Sequence, residues 1–159
     1  MADTTLDTDA DYDAIVVGGG VAGLTAATFL SRAGLATLVV AGDESILRRN
    51  AHLENVPGFP AGVNPRLFAD MLREQAERNG AEIRTGFVEG VTGGVGEFTA
   101  AVDDGTALTA ARLVAASWSD AGYLNGLGVD VRDAGSKRYV AEHALGRTSV
   151  DGVYVAGRI

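Results

Sequence analysis

Apolar positions run unbroken near the start of the chain and alternate later. Ile15-Val16-Val17 is a short β-branched run that reads as a buried strand. Val21 to Ala33 is helix-prone, Gly34 suits a helix stop, and Ala36 to Val40 reads as a second strand, which completes a βαβ unit. Glu54 to Pro60 is a turn-rich loop. Pro65 to Asn79 then predicts an amphipathic helix with Leu67, Phe68, Met71, Leu72, Gln75 and Ala76 along one side and Gly80 beyond its end. Ala81 to Arg84 returns as a strand. Gly86 to Val91, Glu97 to Val102 and Ala107 to Ala116 follow, with turns at Gly93-Gly94 and Asp103-Asp104-Gly105, and predict a small antiparallel meander. A last strand lies near Gly152 to Ala156. The class is α/β: a parallel sheet with helices plus that meander.

Between the first strand and the first helix stands Gly18-Gly19-Gly20-Val21-Ala22-Gly23. Gly18, Gly20 and Gly23 fit G-x-G-x-x-G: a tight turn, a backbone that phosphate can approach, and close packing of helix on strand. The helix opening at Val21 and Ala22 aims unpaired N–H groups and a partial positive charge at a bound anion. Asp43 follows Gly23 by twenty positions, near the spacing of an acidic residue that holds ribose hydroxyls, with Glu44 as an immediate substitute. With 22 glycines in 159 residues the motif alone is weak; its strand-turn-helix context makes it a dinucleotide site.

Composition narrows what this site can serve. A chain of 159 residues supports one stable domain, and it holds no cysteine, so no disulfide, redox Cys-x-x-C pair or thiolate metal site. His52 and His143 lack any local ligand pattern, and no metal is expected. No apolar run reaches membrane-spanning length and the acidic N-terminus does not suit a signal peptide, so a cytoplasmic location without membrane association is expected. The net charge of -8 arises from 13 Asp and 8 Glu against 12 Arg and the single Lys137. This balance resembles that of salt-loving archaeal proteins and disfavours nucleic acid as a partner. Residues 1–11 read as an acidic disordered head and residues 12–159 as one domain. Arg48-Arg49 is the one local basic spot, suited to a phosphate or an anionic ring beside the dinucleotide.

The glycine motif, then Glu54-Asn55-Val56-Pro57-Gly58-Phe59-Pro60, then Met71-Leu72-Arg73-Glu74-Gln75-Ala76 leading to Gly80-Ala81-Glu82-Ile83, and finally Arg147 to Gly157 occur in an order that resembles the thioredoxin reductase branch of the flavin-dependent pyridine nucleotide-disulfide oxidoreductases. The likeness spans most of residues 13 to 157 and implies a Rossmann-like FAD-binding domain. It implies that Gly18, Gly20, Val21, Ala22 and Gly23 hold the FAD pyrophosphate, that Asp43 and Glu44 lie at the adenosine half, and that Gly157 and Arg158 contact the pyrophosphate and ribityl chain. Arg48 and Arg49, with Asn50, fall near a flavin-contacting Gly-Gly-Gln of the family. Asn55, in the Glu54 to Pro60 loop, completes the expected cofactor contacts.

Departures from the family bound what the resemblance implies. Its members insert an NADPH domain and a redox Cys pair between the meander and the closing strand; residues 117–147 are too few for either and read as a short connection. The family's closing Ala-Gly-Asp is Ala156-Gly157-Arg158 here, which exchanges an acceptor for a donor able to pair with phosphate. Only Ile159 follows, so truncation relative to the family is expected. No residue stands out as catalytic, since the flavin carries the chemistry. The leading expectation is an FAD-binding oxidoreductase supplied by a diffusible nicotinamide donor or a redox partner protein, with homodimerisation open. The alternatives are a non-catalytic FAD or dinucleotide-binding module, and an NAD-dependent dehydrogenase.

Overall fold

The computed structural model describes residues 9–42, 45–118, 120–135 and 137–159. β1 (Tyr12–Val17), α1 (Val21–Arg32) and β2 (Thr37–Ala41) form the expected βαβ unit. α2 (Pro65–Arg78) and β3 (Glu82–Thr85) extend it, and β4 (Val88–Gly94), β5 (Glu97–Val102) and β6 (Ala107–Ala115) form the meander. β7 (Val131–Ala134), β8 (Lys137–Val140) and β9 (Val153–Val155) complete the order. The main sheet runs β3-β2-β1-β6-β5-β4, parallel from β3 to β6 and antiparallel through β5 and β4. Beside β1 on one edge, β6 serves two partners on the other: Ala107 to Ala110 pair with β5, and Leu113 to Ala115 pair in parallel with β9.

The first strands read as continuous apolar runs because both faces of the sheet are covered. Ile15, Val17, Leu38 and Val40 enter one core with Val91, Phe98 and Val102 of the meander. Val16, Val39 and Ala41 point to the other face, where Leu24 and Ala27 of α1 and Ala76 of α2 cover them. Each such buried side chain stabilises by roughly 1.5–3 kcal/mol, whereas exposed ion pairs contribute about 0–1 kcal/mol each. The two cores therefore hold the sheet.

α2 starts where the sequence predicts. Asn64 caps it, its Oδ1 accepting from the N–H groups of Arg66 (2.9 Å) and Leu67 (3.2 Å), with Pro65 in the first turn. Its buried side overlaps the predicted one only in part, at Ala76 and the half-buried Phe68 and Leu72. Pro65, Ala69 and Ala76 are buried, while Leu67 and Met71 are turned outward. Packing of α2 against α1 brings the small residues inward, where they allow the helices to approach closely.

Two other boundaries move. β4 continues through Gly93-Gly94, which pair with Phe98 and Glu97, so the meander turns at Val95-Gly96. Residues 117–147 are more than a connection. A short 3₁₀ segment, Gly122–Leu127, buries Tyr123 and Leu124 in the meander core, and β7 and β8 form an antiparallel ribbon. Exposed charged residues such as Arg132, Asp133 and Arg138 give that ribbon no alternating signature. The acidic head is named here only from Asp9 onward, residues 1–8 lying outside the described set. Asp11 accepts from the hydroxyl (2.7 Å) and N–H (3.2 Å) of Thr109, which ties it to β6.

The turn between β5 and β6 forms as expected, and its acid is strongly perturbed. Asp104 accepts from the Thr106 hydroxyl and N–H and pairs with Arg84, which lowers its pKa from 3.8 to about 2. A carboxylate depressed on folding contributes stability above its unfolded value, and that contribution is lost as pH falls through the folded value. Asp104→Asn is therefore expected to flatten the dependence of stability on pH between about 4 and 2, as measured by denaturant melts. An unchanged slope would show that the Thr106 and Arg84 contacts carry no such effect.

Candidate functional site

The glycine turn lies at the C-terminal end of β1, where the strand order reverses between β2 on one side and β6 on the other. Open α/β sheets bind ligands in this crevice. Backbone bonds pin the turn on both sides: Gly18 N–H donates to Val40 O (2.9 Å) and Ala116 N–H to Val17 O (2.8 Å). Gly18 takes φ +118°, and a Cβ there would lie 2.4 Å from Ala116 O. A Cβ on Gly23 would lie 1.9 Å from Gly18 O, so α1 sits directly on the turn.

Gly20 differs from both. Its φ of −86° and ψ of −173° are open to any residue, and the nearest atom to an added Cβ is Ser45 Oγ at 3.8 Å. Among the described residues nothing requires glycine there, and the slot lies open over the N-terminus of α1. That terminus has no side-chain cap and no acidic residue in its first turn, so its leading N–H groups lack a competing side-chain partner. Val21 is exposed and Ala22 half-buried in this turn. A Cβ on Gly157 would lie 2.7 Å from Ala22 Cβ, so the segment after β9 closes onto the same place.

On the β2 side a cleft of ≈ 320 Å³ opens between α1 and α2, lined by Gly19, Gly42, Ser45 and three arginines, Arg48, Arg66 and Arg73. Arg48 pairs with Asp70 and Arg73 with Glu77 (3.1 Å), whereas Arg66 makes no ion pair among the described residues. In a chain of net charge -8 this is a local concentration of positive charge. Arg48 was expected on the flavin-ring side of the cofactor; it lines this β2-side cleft instead, because the segment after β2 turns towards α2. Ser45, Arg66 and Arg73 were not expected. The spacing of Arg66 and Arg73, two helical turns apart, is the signal that could have found them. Arg49 and Asn55 are exposed and outside the cleft lining. Asp43 and Glu44 lie outside the described residues.

On the β6 side the groups are aromatic. The Arg158 guanidinium lies 5.3 Å from the ring centroids of both Trp118 and Tyr139 and donates to Tyr139 Oη at 2.6 Å and 3.2 Å. Tyr123 belongs to the core: burial pushes its hydroxyl pKa up, against the opposing hydrogen bond from Ser117 (3.0 Å). His52 closes the 53–63 loop, its Nε2 at 3.1 Å from Ala61 O, beside the Leu53–Val63 bridge. Among the described residues no cluster of His, Cys, Asp or Glu could hold a metal ion, and no helix is long and apolar enough to cross a membrane.

The FAD binding domain family matches residues 13–53, which run from β1 through the glycine turn to Leu53. Over 83 residues the chain is 43% identical to the bifunctional thioredoxin reductase/thioredoxin of Mycobacterium leprae, a match that covers 51% of this chain and 18% of that protein. The chain is an FAD-binding domain resembling the flavin half of thioredoxin reductases. A thioredoxin reductase structure from Gloeobacter violaceus, 27% identical, matches this domain with a TM-score of 0.65 over 69% of the chain and 35% of its own. An oxidoreductase from Agrobacterium tumefaciens shares the fold at a TM-score of 0.82, covering 91% of this chain and 88% of its own at 16% identity. The domain thus spans well under half the length of the thioredoxin reductases it matches.

Proposed function

We propose that this domain holds FAD across the glycine turn and serves as the flavin-carrying part of an oxidoreductase. The observation that carries the reading is the open slot over Gly20, which a Cβ would occupy without a clash among the described residues and which faces the uncapped start of α1. In this reading the pyrophosphate lies on Gly18, Gly20, Val21, Ala22 and Gly23. The adenosine half extends towards Asp43, Glu44 and the cleft of Arg48, Arg66 and Arg73, and the flavin half towards Gly157 and Arg158. Arg49 and Asn55 are its more distant contacts. The bound flavin supplies hydride or electron transfer, and the residues supply position and charge. The electron donor is a diffusible nicotinamide or a partner protein. The acidic composition fits the cytoplasm of a salt-adapted cell, with neither nucleic acid nor membrane as partner.

A second reading, a binding module without turnover, is favoured by the side chains near the turn. His52 is engaged by its own loop and Tyr123 is buried with a raised pKa, so neither presents a ready proton donor or acceptor to a substrate. One experiment tests both. The protein is purified in high salt, its visible spectrum recorded, and the ligand released on denaturation identified by mass. A yellow protein that releases FAD is expected; a colourless one that gains none on incubation with FAD overturns the proposal. Anaerobic NADH or NADPH then separates the readings, because bleaching supports an oxidoreductase and persistent colour supports the module.

A further inference from the structure

We propose that Trp118 is the platform on which the flavin ring stacks, and that Arg158 covers that platform until the cofactor arrives. This deepens the FAD reading and rests on it. A dinucleotide lying on the glycine turn spans the crevice between β2 and β6. With its adenosine half towards β2, its other half must pass to the β6 side. Trp118 stands there, three residues beyond the end of β6, and the adjoining Ala116 carbonyl is the wall against which Gly18 packs.

Three features set this tryptophan apart from a surface residue placed by chance. Its backbone takes φ +65°, a conformation costly for any side chain, so the surroundings impose it. The residue stays 41% exposed rather than entering either core. The Arg158 guanidinium lies 5.3 Å from its ring centroid and is steadied by Tyr139 Oη at 2.6 Å. Arg158 is held in place by Gly157 against the first turn of α1, so the plug is anchored beside the turn that takes the pyrophosphate. An exposed cation–π contact is weaker than the stacking of a large planar heterocycle on an aromatic side chain. Exchange of guanidinium for flavin ring is therefore favourable, and it frees the Arg158 charge beside the pyrophosphate.

Trp118 is the only tryptophan in the chain, so its emission reports this site alone. The full chain is titrated with FAD and, separately, with ADP, which carries the same phosphates without a flavin; retention is followed by co-elution on gel filtration. FAD is expected to quench most of the emission and ADP to leave it. Trp118→Ala is expected to weaken FAD binding about tenfold, with ADP affinity unchanged and Trp118→Phe close to the parent. If FAD co-elutes and the emission stays constant, or if Trp118→Ala holds FAD as tightly as the parent, the inference is wrong and the FAD reading stands. If FAD does not co-elute, both fail. Should Trp118→Ala not fold, quenching in the parent protein decides.

Discussion

Gly20→Leu is expected to yield a folded protein that no longer retains FAD. The backbone at Gly20 suits any residue, and among the described residues an added Cβ would meet Ser45 Oγ alone, at 3.8 Å. The structural cost is confined to a poorer N-cap, about 1 kcal/mol. The ligand cost is far larger. A leucine side chain fills the volume through which the phosphates approach the α1 N–H groups, and affinity should fall by on the order of a hundredfold, about 3 kcal/mol. Visible absorbance after gel filtration measures the loss, and circular dichroism checks the fold. Unchanged FAD affinity would place the cofactor elsewhere.

Gly23→Ala is expected to act on stability instead. The added methyl would lie 1.9 Å from Gly18 O and 3.0 Å from Gly18 C, and these are backbone atoms already fixed by the turn, so no flexible side chain can yield. Overpacking of this kind costs roughly 1–3 kcal/mol, and a clash with backbone belongs at the upper end. Alanine returns about 1 kcal/mol of helix propensity, which leaves about 2 kcal/mol of net destabilisation. For a domain of this size that lowers the melting temperature by roughly 4–8 °C. Gly20→Ala in the same assay should cost no more than its poorer N-cap, about 1 kcal/mol. If the two substitutions behave alike, α1 does not rest on the turn as closely as the geometry indicates.

The contrast between Gly20 and Gly23 shows how far the sequence could be read. G-x-G-x-x-G names three glycines without saying which is required by packing and which by a ligand. The distinction depends on whether another backbone stands where the Cβ would be, and that backbone comes from the facing turn. The βαβ unit, α2 and the meander were legible because each carries its own period and its own stop signals. The β7–β8 ribbon was not, because its side chains are almost wholly exposed and its order comes from backbone pairing. The buried side of α2 was misread for a related reason. Leu67 and Met71 looked like the core face with Ala76, yet the fit of α2 against α1 turns them outward and brings Ala69 in beside Ala76.

The candidate site divides in the same way. Sequence alone determined that a dinucleotide turn follows the first strand, that the chain has no cysteine, and that its order of segments resembles the flavin half of thioredoxin reductase. These are local or compositional properties, carried by neighbours along the chain. Only the tertiary structure decided that Arg48, Arg66 and Arg73 share one cleft, and that Arg158 lies over Trp118 rather than over the turn. The meetings of Arg48 with Arg66 and of Trp118 with Arg158 join residues 18 and 40 positions apart, and no short-range period encodes them. They arise because packing on both faces of the parallel sheet fixes where the ends of its strands and helices converge.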